Sequence, residues 1–525
     1  MFPSPTRQGF LSGDFRLYLK MDGTSPKALD SGVRRSARGL DMTRHGVLAG
    51  ILVFLTVIEA SVLAHRVLFP YWPESLAPLA SLEEGFYYAI APISPILLIG
   101  VLFGRLLMVS VGLLIRKSRT LGPPLASLSR PMAQFISALR SIEIDKTAER
   151  LRILQHPRIL LTIAAIVGAV FAYTPYRPDL NPSGNLVGVD SQLYVDWLGE
   201  MMSRPVDEAV HYAFAEAALG SRPLLLIPVY AISMLGGISP KLAIQSLPAA
   251  LTPLLTLSTF MFVRRGVRSE NAAGLAGVLA AFSFNLAVGM WGSYYANWLA
   301  LAEAYLFLTI LLSFSDSQSF PKFAVLTWLS LTILLTHPWT WVMILTVCVV
   351  FSITIWREGK GPSYTLHIVL LILVGLGADV LKNWILGPPT VATDLSTKGP
   401  VAGLHELIMI WPNVIDSLLF THSGLLANSV LLSLAILSLL ALRFADQFQR
   451  LLVIWTTSAA VPFVFLDSYH QARIVYDLPI PILAAMGLVL LASLTARSRL
   501  RWPGLMVLLF ILFSANYAVR AMLQL

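Results

Sequence analysis

Residues 271–290 read NAAGLAGVLAAFSFNLAVGM, an unbroken run without one charged side chain. As a helix, a run of about 20 residues crosses the ~30 Å of a bilayer's hydrocarbon core. It lacks the period-two alternation of a membrane strand, and only helices and closed barrels satisfy their backbone in lipid. Comparable runs occupy about 46–66, 86–115, 158–175, 222–237, 242–263, 294–314, 322–336, 338–356, 364–384, 425–443, 451–466, 478–495 and 503–522. The whole chain of 525 residues is 56% hydrophobic and only 13% charged, with a mean hydropathy of +0.71. A soluble domain carries about a quarter charged residues, so lipid is the solvent here. The expected fold class is all-α: a polytopic transmembrane helical bundle of about 13 spans plus one re-entrant segment, with no soluble domain.

The net charge of +9 is gathered mainly in short connections between apolar runs. That is the positive-inside pattern of a multi-pass cell-membrane protein, and it makes nucleic acid an unexpected partner. Residues 1–45, with Arg34, Arg35, Arg38 and Arg44, read as a disordered basic cytoplasmic tail in which Met42 offers an alternative start. A transmembrane hairpin is expected over 46–115 and a cytoplasmic amphipathic linker over 116–157. A transmembrane core follows over 158–525, with external loops 176–221 and 385–424. Counting 222–237 as a full crossing would put Arg264, Arg265 and Arg268 outside. That segment is short and holds Pro223, Pro228, Gly236 and Gly237, so it reads as the re-entrant element. Cys348 is the only cysteine, which excludes disulfides within the chain and Cys-based metal sites. There is no GxxxxGK[ST], HExxH or GxSxG motif, so no nucleotide partner and no protease or hydrolase of those types is expected.

Four groups of residues stand out from this apolar background. In the first outer loop, Asp190 precedes Tyr194 and Trp197 at helical spacing. Asp190 is either a helix N-cap or a carboxylate that takes a proton or holds a metal, while the two aromatic rings suit the membrane interface. In THPWTW, residues 336–341, His337 sits at a proline-broken turn. It is either incidental or a phosphate or proton-transfer group, with Trp339 and Trp341 as an aromatic belt. The connection DSYHQARIVYD, residues 467–477, crowds His470, Arg473 and Tyr476 between acidic ends. An outer-loop arginine needs a reason: phosphate recognition, or an i,i+4 pair of Arg473 with Asp477. Finally, Asn297 and Glu303 lie near the start of a span and are expected to line a cavity, whereas Asp379 and Lys382 can pair with each other.

Taken together, these motifs resemble the GT-C superfamily of membrane glycosyltransferases, from about residue 158 onward. The acidic motif of the first loop is matched by Val187-Gly188-Val189-Asp190-Ser191 with Tyr194, and an "RP" element by Arg222-Pro223. The late arginine loop is matched by Gln471-Ala472-Arg473-Ile474-Val475-Tyr476-Asp477. The resemblance implies a sugar transferase using a polyprenyl-phosphate-linked donor at the extracytoplasmic face. It implies Asp190 as catalytic base or metal-binding carboxylate, with Mg or Mn as the metal, and Arg473 as a contact to the lipid phosphate. His337 would assist either role. Tyr194, Arg222, Trp339, His470 and Tyr476 join Arg473 as candidate substrate contacts. Many members carry two adjacent carboxylates in the first loop; here Ser191 follows Asp190, and the hairpin 46–115 is an addition.

Two other readings start from the same residues. A lipid or solute transporter would place its polar groups near mid-membrane between pseudo-symmetric halves. A non-catalytic subunit would leave Asp190, His337 and Arg473 more than ~15 Å apart, beyond common hydrogen-bond reach of one substrate.

Overall fold

The computed structural model describes residues 29–68, 77–117, 134, 136–149, 151, 156–357, 362–386, 428–466, 468–497 and 503–525. The loop expected over 385–424 therefore lies almost wholly outside the described residues, as does Asp467. The described chain is helical and contains no strand. Helices α1 (Leu29–Leu68), α2 (Ala77–Ile90) and α3 (Ser94–Lys117) precede a short helix, Ile144–Glu149. The core begins with α4 (Pro157–Tyr173), α5 (Ser191–Met202), α6 (Val206–Ala215), α7 (Pro223–Gly236) and α8 (Pro240–Val267). It continues with α9 (Glu270–Ala281), α10 (Phe284–Trp291), α11 (Tyr295–Asp316), α12 (Phe320–Thr336), α13 (Pro338–Arg357) and α14 (Pro362–Leu386). It closes with α15 (Ser429–Ala441), α16 (Gln447–Phe465), α17 (Ser468–Tyr476), α18 (Ile480–Arg497) and α19 (Pro503–Leu523).

Ten helices among the described residues are long and apolar enough to cross a bilayer; the bent pair at 470–476 and 480–495 makes eleven. The expected thirteen crossings would need α12 and α15 as well, which are shorter. Helix α1 starts at Leu29, so residues 29–45 belong to a helix rather than to the disordered tail expected there. No proline interrupts 29–68, and the polar stretch prolongs the apolar helix behind it.

The run 271–290 is the centre of the bundle, and it is not one helix. Its residues are buried on every side. Small side chains allow this: a Cβ on Gly277 would lie 2.3 Å from Leu161 Cδ1, and one on Gly274 2.8 Å from Pro157 Cβ. Glycine thus lets α4 press against α9, the way small residues bring membrane helices together. The break falls at Phe282–Ser283. Ser283 Oγ donates to the Ala280 carbonyl (3.0 Å) and accepts from Asn285 N (3.2 Å), ending α9 and capping α10.

Chain direction sorts the connections to two ends of the bundle. Arg264, Arg265 and Arg268 share one end with Lys322, Arg357 and Arg443; there Arg265 pairs with Asp316 and Lys322 reaches the Ser313 carbonyl at 2.9 Å. The opposite end carries residues 174–222, the turn at 292–294, His337 and the α17–α18 break. Helix α7 starts and finishes at this second end. Arg222 before it bonds Tyr194, and Gln245, early in α8, bonds the Gly184 carbonyl at 3.1 Å. Fourteen residues give only ~21 Å of helix, less than the hydrocarbon core, so α7 is too short to cross it.

Candidate functional site

The first wall of the site is built on a glycine. Gly188 has φ +100°, and a Cβ there would fall 2.3 Å from both the Met290 carbonyl and Ser293 Oγ. The chain therefore lies against the turn after α10, where Val189 N donates to the Trp291 carbonyl at 2.9 Å. Ser191 is fully buried and bonds Ser293 Oγ (2.8 Å), Tyr295 OH (3.0 Å) and the Val187 carbonyl. The Ser191 hydroxyl thus fastens the loop to the core. Asp190 takes the N-cap position of α5, but its carboxylate makes no cap. Its backbone N–H donates to Ser293 Oγ at 3.2 Å, and the half-buried residue lines a cleft.

The second wall carries Arg222. Its Nη1 donates to Tyr194 OH at 2.7 Å, and its guanidinium lies over the rings of Tyr194 (5.4 Å) and Trp197 (5.7 Å). Arg222 Nε is buried without a hydrogen-bond partner. Tyr194 was expected at the membrane interface; it is instead buried between Trp197 and Tyr295, because its hydroxyl finds its partner inside. Trp339 and Trp341 likewise form no aromatic belt: both are buried, and Trp341 Nε1 donates to Ser330 Oγ at 2.9 Å. Lys382 reaches the Gly220 carbonyl at 2.9 Å, holding the turn that leads into Arg222, rather than serving only as a partner for Asp379.

The third wall is a chain of hydrogen bonds linking a cation to a carboxylate. Arg473 Nη1 lies 3.0 Å from His337 Nε2, and His337 Nδ1 lies 2.9 Å from Thr340 Oγ1. Thr340 Oγ1 donates to Asp477 Oδ2 at 3.0 Å, and Asn297 Nδ2 donates to Asp477 Oδ1 at 2.6 Å. A guanidinium can only donate, so His337 Nε2 accepts; Nδ1 faces both Thr340 Oγ1 at 2.9 Å and the Thr340 backbone N–H, which donates toward it at 3.3 Å. Burial, then the nearby charges of Arg473 and Arg222, hold the His337 ring well below the usual histidine range, in the neutral form. Arg473 and Asp477, for which an i,i+4 pair was the alternative to phosphate recognition, are thus linked through two residues of another segment.

Asp190, Tyr194, Arg222, Asn297, His337 and Arg473 line one cleft, together with Ser293 and Tyr294. The Arg473 guanidinium lies 5.8 Å over the Tyr294 ring. The open space among them is about 10 Å³, room for a single water. Other candidates lie elsewhere. His470 is buried against Trp339, with ring centroids 4.8 Å apart. Tyr476 is buried behind Tyr294 and bonds the Asn285 carbonyl at 3.1 Å. Glu303 accepts from Thr336 Oγ1 at 3.2 Å, outside the cleft lining. Sequence reasoning passed over Ser293, Tyr294 and Thr340; WGSYYANW and THPWTW contain them, but only the meeting of three segments gives them roles.

Among the described residues, no group of three or more His, Cys, Asp or Glu side chains could hold a metal ion. The cleft offers one carboxylate beside two guanidinium groups, a poor donor set for Mg or Mn, which take several oxygen ligands. Asp190 as a metal carboxylate therefore finds no supporting ligand set here.

No family model matches the chain, and no curated protein matches it either. Among solved structures, it is similar to the Archaeoglobus fulgidus oligosaccharyltransferase in the apo form. Identity is 12%, coverage is 70% of this chain and 56% of that one, and the TM-score is 0.47. The same enzyme in complex with Zn and sulfate aligns at 14% identity over 69% of this chain and 52% of that one, with a TM-score of 0.44. The chain thus spans little more than half the length of the structures it matches.

Proposed function

We propose that this chain is a membrane glycosyltransferase of the GT-C type, moving a sugar from a polyprenyl-phosphate-linked donor to an acceptor at the extracytoplasmic face. The observation that carries this reading is the cleft itself: a carboxylate without a cap, two arginines and a neutral histidine at one end of the bundle. Asp190 takes the proton of the acceptor hydroxyl as its oxygen attacks the anomeric carbon. The bond from that carbon to the phosphate oxygen breaks, and the charge gathers on the departing lipid phosphate. Arg473 and Arg222 stabilise that charge. Arg222 Nε and Asn297 Oδ1 are buried without partners, a donor and an acceptor that a ligand would satisfy. His337 uses Nε2 to hold Arg473, so in this reading it positions the guanidinium and does not carry the proton. Space for one water cannot admit a sugar, so the reaction requires the cleft walls to part.

The basic end, with Arg264, Arg265, Arg268, Lys322, Arg357 and Arg443, supports a cytoplasmic assignment, which puts the N-terminus inside and the cleft outside. The cleft residues sit at helix ends rather than mid-span, which favours a transferase over a transporter. Incubation with a panel of radiolabelled polyprenyl-phosphate sugars tests the reading. Release of the lipid phosphate is expected; failure with every donor, together with solute flux in vesicles, favours a transporter instead.

A further inference from the structure

A second cavity lies away from the cleft and shares no residue with it. It is a lateral groove of about 510 Å³, within the range of ~300–1,000 Å³ of small-molecule sites. Ile166 and Ala169 of α4 with Ala249 and Pro253 of α8 form its apolar part, and Arg66 and Arg177 stand at one end, Arg177 donating from Nε and Nη2 to Asp179 at 3.1 and 2.6 Å. That end is the one shared with the cleft, where the positive-inside pattern gives no reason for arginine. Arg66 is held in place. Its Nη1 pairs with Glu83 at 2.6 Å and reaches the Asn516 carbonyl at 3.4 Å. Asn516 is fixed in turn by Glu59, to which Nδ2 donates at 2.6 Å. Only 7% of the Arg66 side chain stays accessible. Neither its Nη2 nor its Nε is spent on Glu83 or Asn516, and the residue lines the groove.

We infer that this groove binds one phospholipid, with an acyl chain along the small residues of α4 and α8 and the phosphate on Arg66 and Arg177. A guanidinium suits this role because its fork serves a carboxylate and a phosphate oxygen at once, whereas an ammonium presents a single point charge. The graded lining, cationic at the membrane interface and apolar below it, matches the polarity of a lipid along its length. Ala169 and Ala249 leave the room the chain needs. Since the groove shares no residue with the cleft, the inference stands apart from that assignment.

The test uses the purified full-length protein in detergent, dioctanoyl phosphatidylglycerol and dioctanoylglycerol as probes, and native mass spectrometry to count retained lipid. The phospholipid is expected to be retained at least fivefold more than the glycerol lipid. Ala169→Trp and Ala249→Trp, each checked for an unchanged melting temperature, should abolish that excess by filling the groove. Arg66→Lys keeps the charge beside Glu83 but loses the fork, and should reduce the excess severalfold. Equal retention of the two probes, or an undiminished excess in a folded tryptophan variant, would overturn the proposal.

Discussion

Arg473 Nη1 and His337 Nε2 are 3.0 Å apart, and this contact makes the histidine an acceptor at the head of the polar network behind the cleft. Because arginine only donates, the histidine accepts through Nε2 and is neutral. His337→Ala removes the acceptor that holds Arg473 Nη1 in place. Lipid-phosphate release should fall about 10²-fold, the scale of a misplaced reacting group, while the protein still folds. Steady-state assay beside size-exclusion chromatography checks both halves.

The same contact predicts a pH response. Burial and the charges of Arg473 and Arg222 hold the His337 ring below its ordinary value, so folding disfavours its protonation. A depressed folded-state pKa contributes stability above the unfolded pKa of ~6.5, and that stability is lost as pH falls below it. The melting temperature should therefore drop on acidification from pH 7 to 5, and drop less in His337→Gln. The activity profile should show no acid limb at 6.5 from this residue. An unchanged difference between the two proteins across that interval would contradict a neutral His337 in the fold.

Asp477 anchors the far end of the network through Thr340 and Asn297. Asp477→Asn keeps the shape but sets one amide against another and removes the carboxylate that balances Arg473. A loss of ~1–3 kcal/mol is expected, the cost of an unsatisfied buried polar group, read as a lowered denaturation midpoint. Asn297→Asp in the same chain restores a carboxylate to the pair and should recover part of it.

Gly188 cannot carry a side chain where the loop meets Met290 and Ser293. Gly188→Ala adds a clash to an unfavourable φ, costing ~1–3 kcal/mol locally. The loop should lift from the bundle and carry Asp190 away from Arg473. Transfer should be lost with little change in helix content by circular dichroism.

The apolar runs made the fold legible, because a membrane span is recognised by length and charge depletion alone. The break at Phe282–Ser283 was not legible, since Ser283 acts through a local cap that leaves hydropathy unchanged. Asp190, Asn297, His337 and Arg473 could be picked out as polar residues lacking a solvation role, Arg222 only through the resemblance, and all line one cleft. Thr340 and Ser293 could not, because a hydroxyl near a span end is ordinary until a histidine or a loop is set against it. Tyr194, Trp339 and Trp341 misled for a related reason. An aromatic ring near a span end suits the interface and the core equally, and their placement was decided by Arg222, His470 and Ser330 respectively.

The central claim is that Asp190 is the base of a sugar transfer. Its most direct test compares wild-type protein and Asp190→Asn in release of polyprenyl phosphate from a radiolabelled donor, with acceptor present. Loss of a general base predicts a fall of ~10²–10⁴-fold in the variant, with donor binding retained through Arg222 and Arg473. Undiminished release from Asp190→Asn would contradict the account.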